Sequence, residues 1–450
     1  MDPDLTRDFL DCFGGLAAIG RDPATGGYQR FAWTDEDRAA RQWFAAQSKA
    51  RGLAYQRDAN GNLWAWWRAP MPEAREAGPP EAAGAQAPEA AGARQPEAAG
   101  ARQPQAGAAP GEGRVLVVGS HLDTVPQGGA YDGALGVVAG FVAVSALARR
   151  GVTPNRPVAV AAFADEEGGR FGLATFGSRL LAGTLAPADA LARRDALGVT
   201  VAEAMRADGL DPGRAGPDPA LAGLVGEVVE LHVEQGRGLA DVPAPLGVGT
   251  GIWPHGRWRL ALRGEPNHAG TTRLEDRRDP MLVLARGVEA ARALAAGAGA
   301  VATVGRVLVD PNGTNSVPGA VDAWLDARAP DEATLDGLVG AWQREVAKAG
   351  RLHRVEVGLA CESRSPAVEF DADLRARLVA LLGQQGLPAP ELPTAAGHDA
   401  GALAAVVPTA MLFVRNPTGT SHSPAEQAAD ADCALGCEVL AAVVEAWACR

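Results

Sequence analysis

The stretch VLVVGSHLDTVPQGGAYDGALGVVAGFVAVSALARRGVTPNRPVAVAAFADEEGGRFG, residues 115–172, decides the fold. It opens on a short β-branched run, 115–118, and reaches a second apolar run at 158–163. Each ends in a polar cluster, as the buried strands of an α/β sheet do. Between them, 134–149 carries apolar residues at helical spacing and stops at Gly151. Strand, loop, helix, strand is the repeating unit of a mostly parallel sheet. Residues that carry chemistry stand where the strands run out: His121 and Asp123 after the first, Glu166 and Glu167 after the second.

Outward from this core, a second alternating region runs from about 258 to 357. Strand-like WRLALRG (258–264) and VDAWLDARA (321–329) flank helix-like segments there. The last stretch, 425–447, reads as one long amphipathic helix. The expected organisation is an α/β catalytic domain with a mostly parallel mixed sheet, residues 1–253 and 364–450, interrupted by a smaller α+β domain, 254–363. Residues 69–113 break the pattern. Ala, Pro, Glu, Gly, Arg and Gln dominate them, and an eight-residue unit recurs as EAAGAQAP (81–88), EAAGARQP (89–96) and EAAGARQP (97–104). Pro and Gly in every copy support neither a long helix nor a strand, and there is almost nothing to bury. A disordered surface loop is expected.

Composition narrows the class. A chain of 450 residues exceeds what one hydrophobic core supports, and 47% hydrophobic with 21% charged residues is ordinary for a globular enzyme. The net charge of -12, with no block of Lys or Arg, argues against nucleic acid or an anionic membrane as partner. The acidic start MDPDLTRDFLDCFGG does not read as a secretory signal, and no run reaches the roughly 18 apolar residues of a membrane span, so neither is expected. Five scattered cysteines, with no zinc or redox spacing, read as reduced thiols in a cytoplasm.

Five of the seven histidines lie in polar clusters that core packing does not explain: His121, His232, His268, His398 and His422. His121 and Asp123, two apart on an extended strand end, point to one side. A carboxylate there can bond one imidazole nitrogen and leave the other for a metal. Asp132 follows among glycines that allow a sharp turn. Asp165, Glu166 and Glu167 repel one another unless a cation neutralises them, and ligands of open α/β sheets bind at the carboxyl ends of strands. One glutamate can ligate while its neighbour remains a proton-transfer base. His232 and His422 add nitrogen ligands suited to zinc and similar ions. Trp64, Trp66 and Trp67 read as core, and Asp399 as either a helix cap or a support for the site.

In this order, GSHLDTVPQGGAYDG, DEEGGRFG, ELHVEQG, NHAGTT, NSVPG and GTSHSPAE resemble the N-carbamoyl-L-amino-acid hydrolase, β-ureidopropionase and allantoate amidohydrolase family, within the dinuclear zinc-peptidase-like hydrolases. The resemblance runs from GGYQRFAWTDEDRAAR (26–41) to the C-terminal helix. It implies a zinc-peptidase-like catalytic domain and a ferredoxin-like dimerisation or lid domain. It also implies two divalent ions per subunit, Zn2+ or Mn2+, with His121, Asp132 and His232 holding one, Asp132, Glu167 and His422 the other, and Asp132 bridging. Glu166 would be the general base and acid. Gln235, His268, Asn315 and Arg328 would bind substrate, with Asp123 in support. The family's homodimer would lend His268 to the neighbouring active site. Where a Pro-Met pair commonly follows NHAGTT, this chain has Arg273 and Leu274.

The implied reaction is cleavage of a ureido or carbamoyl C–N bond in a small carboxylate. Bridging metals would lower the pKa of water and polarise the carbonyl, Glu166 would carry the proton, and His268 would stabilise the oxyanion. Asn315 and the Arg328 fork would grip the carboxylate. WTDEDR, AWW, IWPHGRW and TTRLEDRRDP resemble the bacterial allantoate amidohydrolases more than the β-ureidopropionases. That resemblance implies allantoate as substrate, with release of ammonia and CO2; the alternative is an N-carbamoyl-L-amino acid. A β-ureidopropionase ranks below both. A dipeptidase or aminoacylase is disfavoured by His232, where the peptidase branch usually has an acid. A metal-dependent binding protein is disfavoured by Glu166, for which a binder has no use.

Overall fold

The nearly all-apolar helix Ala134–Arg149 is hydrophobic around its whole circumference, which requires cover on every side. It packs on the strands Val115–His121, Val225–Val233 and Val158–Phe163 and under the helices Pro3–Ala17 and Asp430–Ala448. The computed structural model describes residues 2–67 and 114–449. The repeat-bearing stretch 69–113 lies outside them.

The described residues form two compact units. The first comprises 1–249, 370–391 and 398–450, within those described; the second comprises 250–369 and 392–397. The sequence reading places the divisions at 253/254 and 363/364.

In the first unit the strand order is Ala54–Arg57, Leu63–Trp67, Val158–Phe163, Val115–His121, Val225–Val233, Thr409–Val414, then Leu246–Ile252. The four strands from Val158–Phe163 to Thr409–Val414 run parallel, and the flanking pairs are antiparallel. The sheet is therefore mixed and mostly parallel at its centre, as the continuous apolar runs require. Their carboxyl ends lie together, so His121, the 165–167 turn and His232 converge. Trp64 and Trp66 are buried and stacked 5.6 Å apart, core residues as expected.

The second unit follows β-α-β-β-α-β in chain order: His255–Arg263, Pro280–Gly297, Val301–Asp310, Ala320–Arg328, Glu332–His353 and Glu356–Ser365. Its four-stranded antiparallel sheet has the order Glu356–Ser365, His255–Arg263, Ala320–Arg328, Val301–Asp310. That is the ferredoxin-like arrangement. Period-two alternation sorts its faces: Trp258, Leu260 and Leu262 are buried with Trp342 and Val283, while Arg257, Arg259 and Arg263 point outward.

The C-terminal helix starts at Asp430, not at 425. Pro424 interrupts the 420–429 segment, and His422 adopts a positive φ of 53° incompatible with a helix. All five cysteines are free thiols. Among the described residues no helix is long and apolar enough to cross a membrane.

Candidate metal centre

Asp132 is the hub of the first unit's polar cluster. It is 2% exposed and sits just before the helix Ala134–Arg149, on a turn made possible by Gly133. Gly133 has φ +64°, and a Cβ there would lie 2.4 Å from three ring atoms of His121. Only glycine lets the backbone pass this close to the imidazole. Oδ1 of Asp132 lies 3.4 Å from Nε2 of His121 and 3.3 Å from Nε2 of His232. Oδ2 turns the other way, 3.5 Å from Nε2 of His422 and 2.8 Å from the donating Nε2 of Gln235.

The imidazoles are aimed by backbone carbonyls. Nδ1 of His232 lies 2.8 Å from the Val233 carbonyl, and Nδ1 of His121 lies 3.1 Å from that of Asp123. A ring nitrogen facing a carbonyl carries a proton, which turns both Nε2 atoms toward Asp132, where a neutral ring would offer a lone pair to a metal. The H-x-D spacing leads one to expect the Asp123 carboxylate on His121. Its Oδ1 is 3.6 Å from that ring, and the carboxylate instead accepts the amide hydrogens of Glu166 at 3.1 Å and Glu167 at 2.9 Å. The strand end left both amides without ladder partners, so Asp123 fixes the turn that presents the two glutamates.

Glu167 approaches His422, with Oε2 3.5 Å from Nε2, while Glu166 approaches His121, with Oε2 3.8 Å from Nε2. Two donor sets result, each within ligand reach of a common ion: His121, Asp132 and His232, and Asp132, Glu167 and His422. A third grouping, Glu230, His232 and His398, is less suited. Glu230 is already occupied by the Ser120 hydroxyl and the Ala400 amide, both at 2.7 Å, and His232 Nδ1 by its carbonyl.

The electrostatics call for a cation. Burial, and secondarily Glu167, Asp399 and Asp123, push the Glu166 carboxyl well above its usual range. Burial and the Asp132 charge push Glu167 up to about 9. Burial alone would also raise Asp132, but the imidazoles of His121 and His232 hold it well below the carboxylate range. Burial alone would lower His121 and His232, yet Asp123 and Asp132 raise the first and Asp132 the second. His398 goes the other way, lowered by burial and by His232. Two like charges 4 Å apart repel by about 4 kcal/mol at an effective dielectric of 20. Oδ1 of Asp132 and Oε1 of Glu167 are buried and receive no well-formed hydrogen bond. Orphaned carboxylate oxygens facing imidazole lone pairs are the donor chemistry of a divalent metal site, and these residues fit one.

Sequence reasoning missed Glu426. Its Oε1 accepts the amides of Tyr131 at 2.8 Å and Asp132 at 3.1 Å, holding the Asp132 turn from beneath. Burial and the Asp132 charge push its carboxyl to about 7. The acid of SHSPAE, four residues after His422, was the available signal. Asp399, left open between two readings, accepts the Ser178 hydroxyl at 2.5 Å.

Gln235 stands against Asp132 and His422, within the cluster it was expected to border. His268, Asn315 and Arg328 belong to the second unit. His268 and Asn315 are exposed neighbours there, joined by the Ala269 amide on the Asn315 carbonyl at 3.0 Å. Nδ1 of His268 accepts the amides of Gly270 at 2.9 Å and Thr271 at 3.1 Å, so the ring hydrogen sits on Nε2. Arg328 does not present a wholly free fork; it pairs with Asp326.

The profile of peptidase family M20/M25/M40 matches residues 117–446. The chain is 35% identical to an N-carbamoyl-L-amino acid amidohydrolase of Geobacillus stearothermophilus over 426 residues, 94% of each chain. It is 31% identical to the allantoate amidohydrolase of Escherichia coli (strain K12) over 430 residues, 95% of this chain and 94% of that one. Among solved structures, a hydantoinase/carbamoylase family amidase from Burkholderia vietnamiensis superposes with a TM-score of 0.81 at 28% identity, covering 100% of both chains.

Proposed function

The chain belongs to peptidase family M20/M25/M40, and from that membership and the geometry around Asp132 we propose a metal-dependent amidohydrolase that cleaves a ureido or carbamoyl C–N bond of a small carboxylate. The observation that carries this reading is the division of Asp132, with Oδ1 toward His121 and His232 and Oδ2 toward His422. Two divalent ions, zinc or manganese, would be held by His121, Asp132 and His232 on one side and Asp132, Glu167 and His422 on the other. Bound there, they supply Lewis acidity and a water of lowered pKa.

The chain's own residues do the rest. Glu166, buried and without a place in either donor set, accepts the proton of the attacking water as its oxygen joins the carbonyl carbon. It then delivers that proton to the departing nitrogen as the C–N bond breaks. That first break releases ammonia and leaves a carbamic acid, whose own C–N bond then breaks as its proton moves to nitrogen and CO2 leaves. Water and a ureido group thus become an amine, CO2 and ammonia, with no proton left over. Burial favours the first half of this role, because a carboxylate raised above its usual range is a stronger base toward water. His268, with its hydrogen on Nε2, is a donor suited to the oxyanion. Gln235 holds Asp132 between the two donor sets, and Asn315 and Arg328 bind the substrate carboxylate.

Allantoate is the substrate we propose first, on the motifs quoted above. N-carbamoyl-L-amino acids are the second reading, favoured by the relative at 35% identity. The enzyme is read as a cytoplasmic homodimer. Val301–Asp310 is an edge strand with exposed Val301, Val307 and Leu308, beside the exposed Met281, Leu282 and Val288 of the preceding helix. A second copy of the chain would cover such an edge. The functional test is ammonia release from allantoate, N-carbamoyl-L-amino acids and ureidopropionate, with and without a chelator. Metal-dependent turnover of a ureido carboxylate is expected; no turnover of any of the three by metal-loaded enzyme would overturn the reading.

A further inference from the structure

Asp326 and Arg328 are two residues apart on the strand Ala320–Arg328, so their side chains leave the same face of the sheet. Oδ1 of Asp326 accepts Nε–H of Arg328 at 2.9 Å, and Oδ2 lies 3.4 Å from Nη2. On its other side, Nη1 of Arg328 donates to the Ala395 carbonyl at 2.6 Å. Asp326 also receives Arg257, whose Nε is 3.4 Å from Oδ2. A guanidinium has five N–H donors in a rigid plane. Three are engaged here, which leaves one on Nη1 and one on Nη2. That number suits a single carboxylate gripped at two points.

We propose that Asp326 is a positioning residue that fixes the Arg328 guanidinium, so that its remaining two donors meet the substrate carboxylate. The inference rests on the carboxylate-anchor role proposed for Arg328 above. An unsupported arginine samples many rotamers, and each binding event must freeze them; an arginine already held by Asp326 and Ala395 avoids most of that cost. Burial alone would raise the Asp326 carboxyl, but Arg328 and then Arg257 hold it below its usual range, so it stays an anion where the arginine needs one. Asp326 itself touches no substrate in this account. Its effect is transmitted wholly through Arg328.

The test uses the full-length, metal-loaded enzyme with allantoate and N-carbamoyl-L-alanine. Steady-state constants are measured for wild type, Asp326→Ala, Asp326→Asn, Arg328→Ala and the double variant Arg328→Ala/Asp326→Ala. Asp326→Ala should raise KM by about tenfold and leave kcat within about twofold, the signature of binding lost equally from ground and transition states. Asp326→Asn, which keeps one acceptor for Nε–H, should fall between Asp326→Ala and wild type. In the Arg328→Ala background, removing Asp326 should change nothing further. An equal loss in both backgrounds would make Asp326 merely structural and overturn the proposal. So would a raised KM in Arg328→Ala beside an unchanged KM in both Asp326 variants. Unchanged KM in Arg328→Ala would instead sink the anchor role of Arg328, and wild type inert on both compounds would sink the functional reading itself.

Discussion

Glu166 and Glu167 are neighbours in the chain whose carboxylates face different imidazoles: Oε2 of Glu166 lies 3.8 Å from Nε2 of His121, and Oε2 of Glu167 lies 3.5 Å from Nε2 of His422. The two amide hydrogens accepted by Asp123 hold this splayed arrangement. The function proposed above gives these two side chains of one chemistry different tasks.

Glutamine substitution separates those tasks, since it keeps the shape and removes the charge. Glu166→Gln should keep its metal and fold but lose roughly 10²–10⁴-fold in kcat, the usual contribution of a general acid–base group. Glu167→Gln should lower metal occupancy, visible by elemental analysis before any assay. Near-normal turnover in Glu166→Gln would remove it from the mechanism.

Gly133→Ala tests the close approach to His121. The residue's φ of +64° alone costs an L side chain about 1–2 kcal/mol, and the new methyl would press on the ring at 2.4 Å. Weaker metal binding and a lower thermal midpoint are both expected. Wild-type metal affinity in this variant would mean that the His121 ring position is not critical.

Assembly is testable by mixing. If His268 acts in the neighbouring subunit's site, co-expressed His268→Ala and Glu166→Gln subunits should form mixed dimers with one doubly damaged and one intact site. Random pairing makes half the dimers mixed, so recovered activity should approach about a quarter of wild type. Mixed dimers seen by native mass measurement yet inactive would place His268 in its own chain's site.

Much of this was legible in the sequence, for identifiable reasons. Val158–Phe163 and Ala134–Arg149 are fully buried or nearly so, and burial writes itself as long apolar runs with sharp polar ends. His121, Asp132, Glu166, Glu167 and His232 stood out because polar residues at such ends need a reason. What stayed hidden depends on contacts distant in sequence. Glu426 reaches the Tyr131 and Asp132 amides across almost 300 residues, and no local pattern records that. The hydrogen bond from the Gln235 amide to Asp132 was equally out of reach, because a side chain's direction at a strand end is not set by its motif. The start of the C-terminal helix was misplaced because 425–429 is apolar enough to continue the pattern, while the loop that presents His422 overrides it.

The central claim is that Asp132 bridges two ions on which hydrolysis depends. Its most direct test is metal content per subunit, measured by elemental mass spectrometry on enzyme stripped by chelation and then titrated with Zn2+ or Mn2+, alongside ammonia release from allantoate or the N-carbamoyl-L-amino acid it prefers. The account predicts no activity without metal and full activity near two ions per subunit, with Asp132→Asn binding fewer. Full turnover by enzyme holding no divalent metal would contradict it.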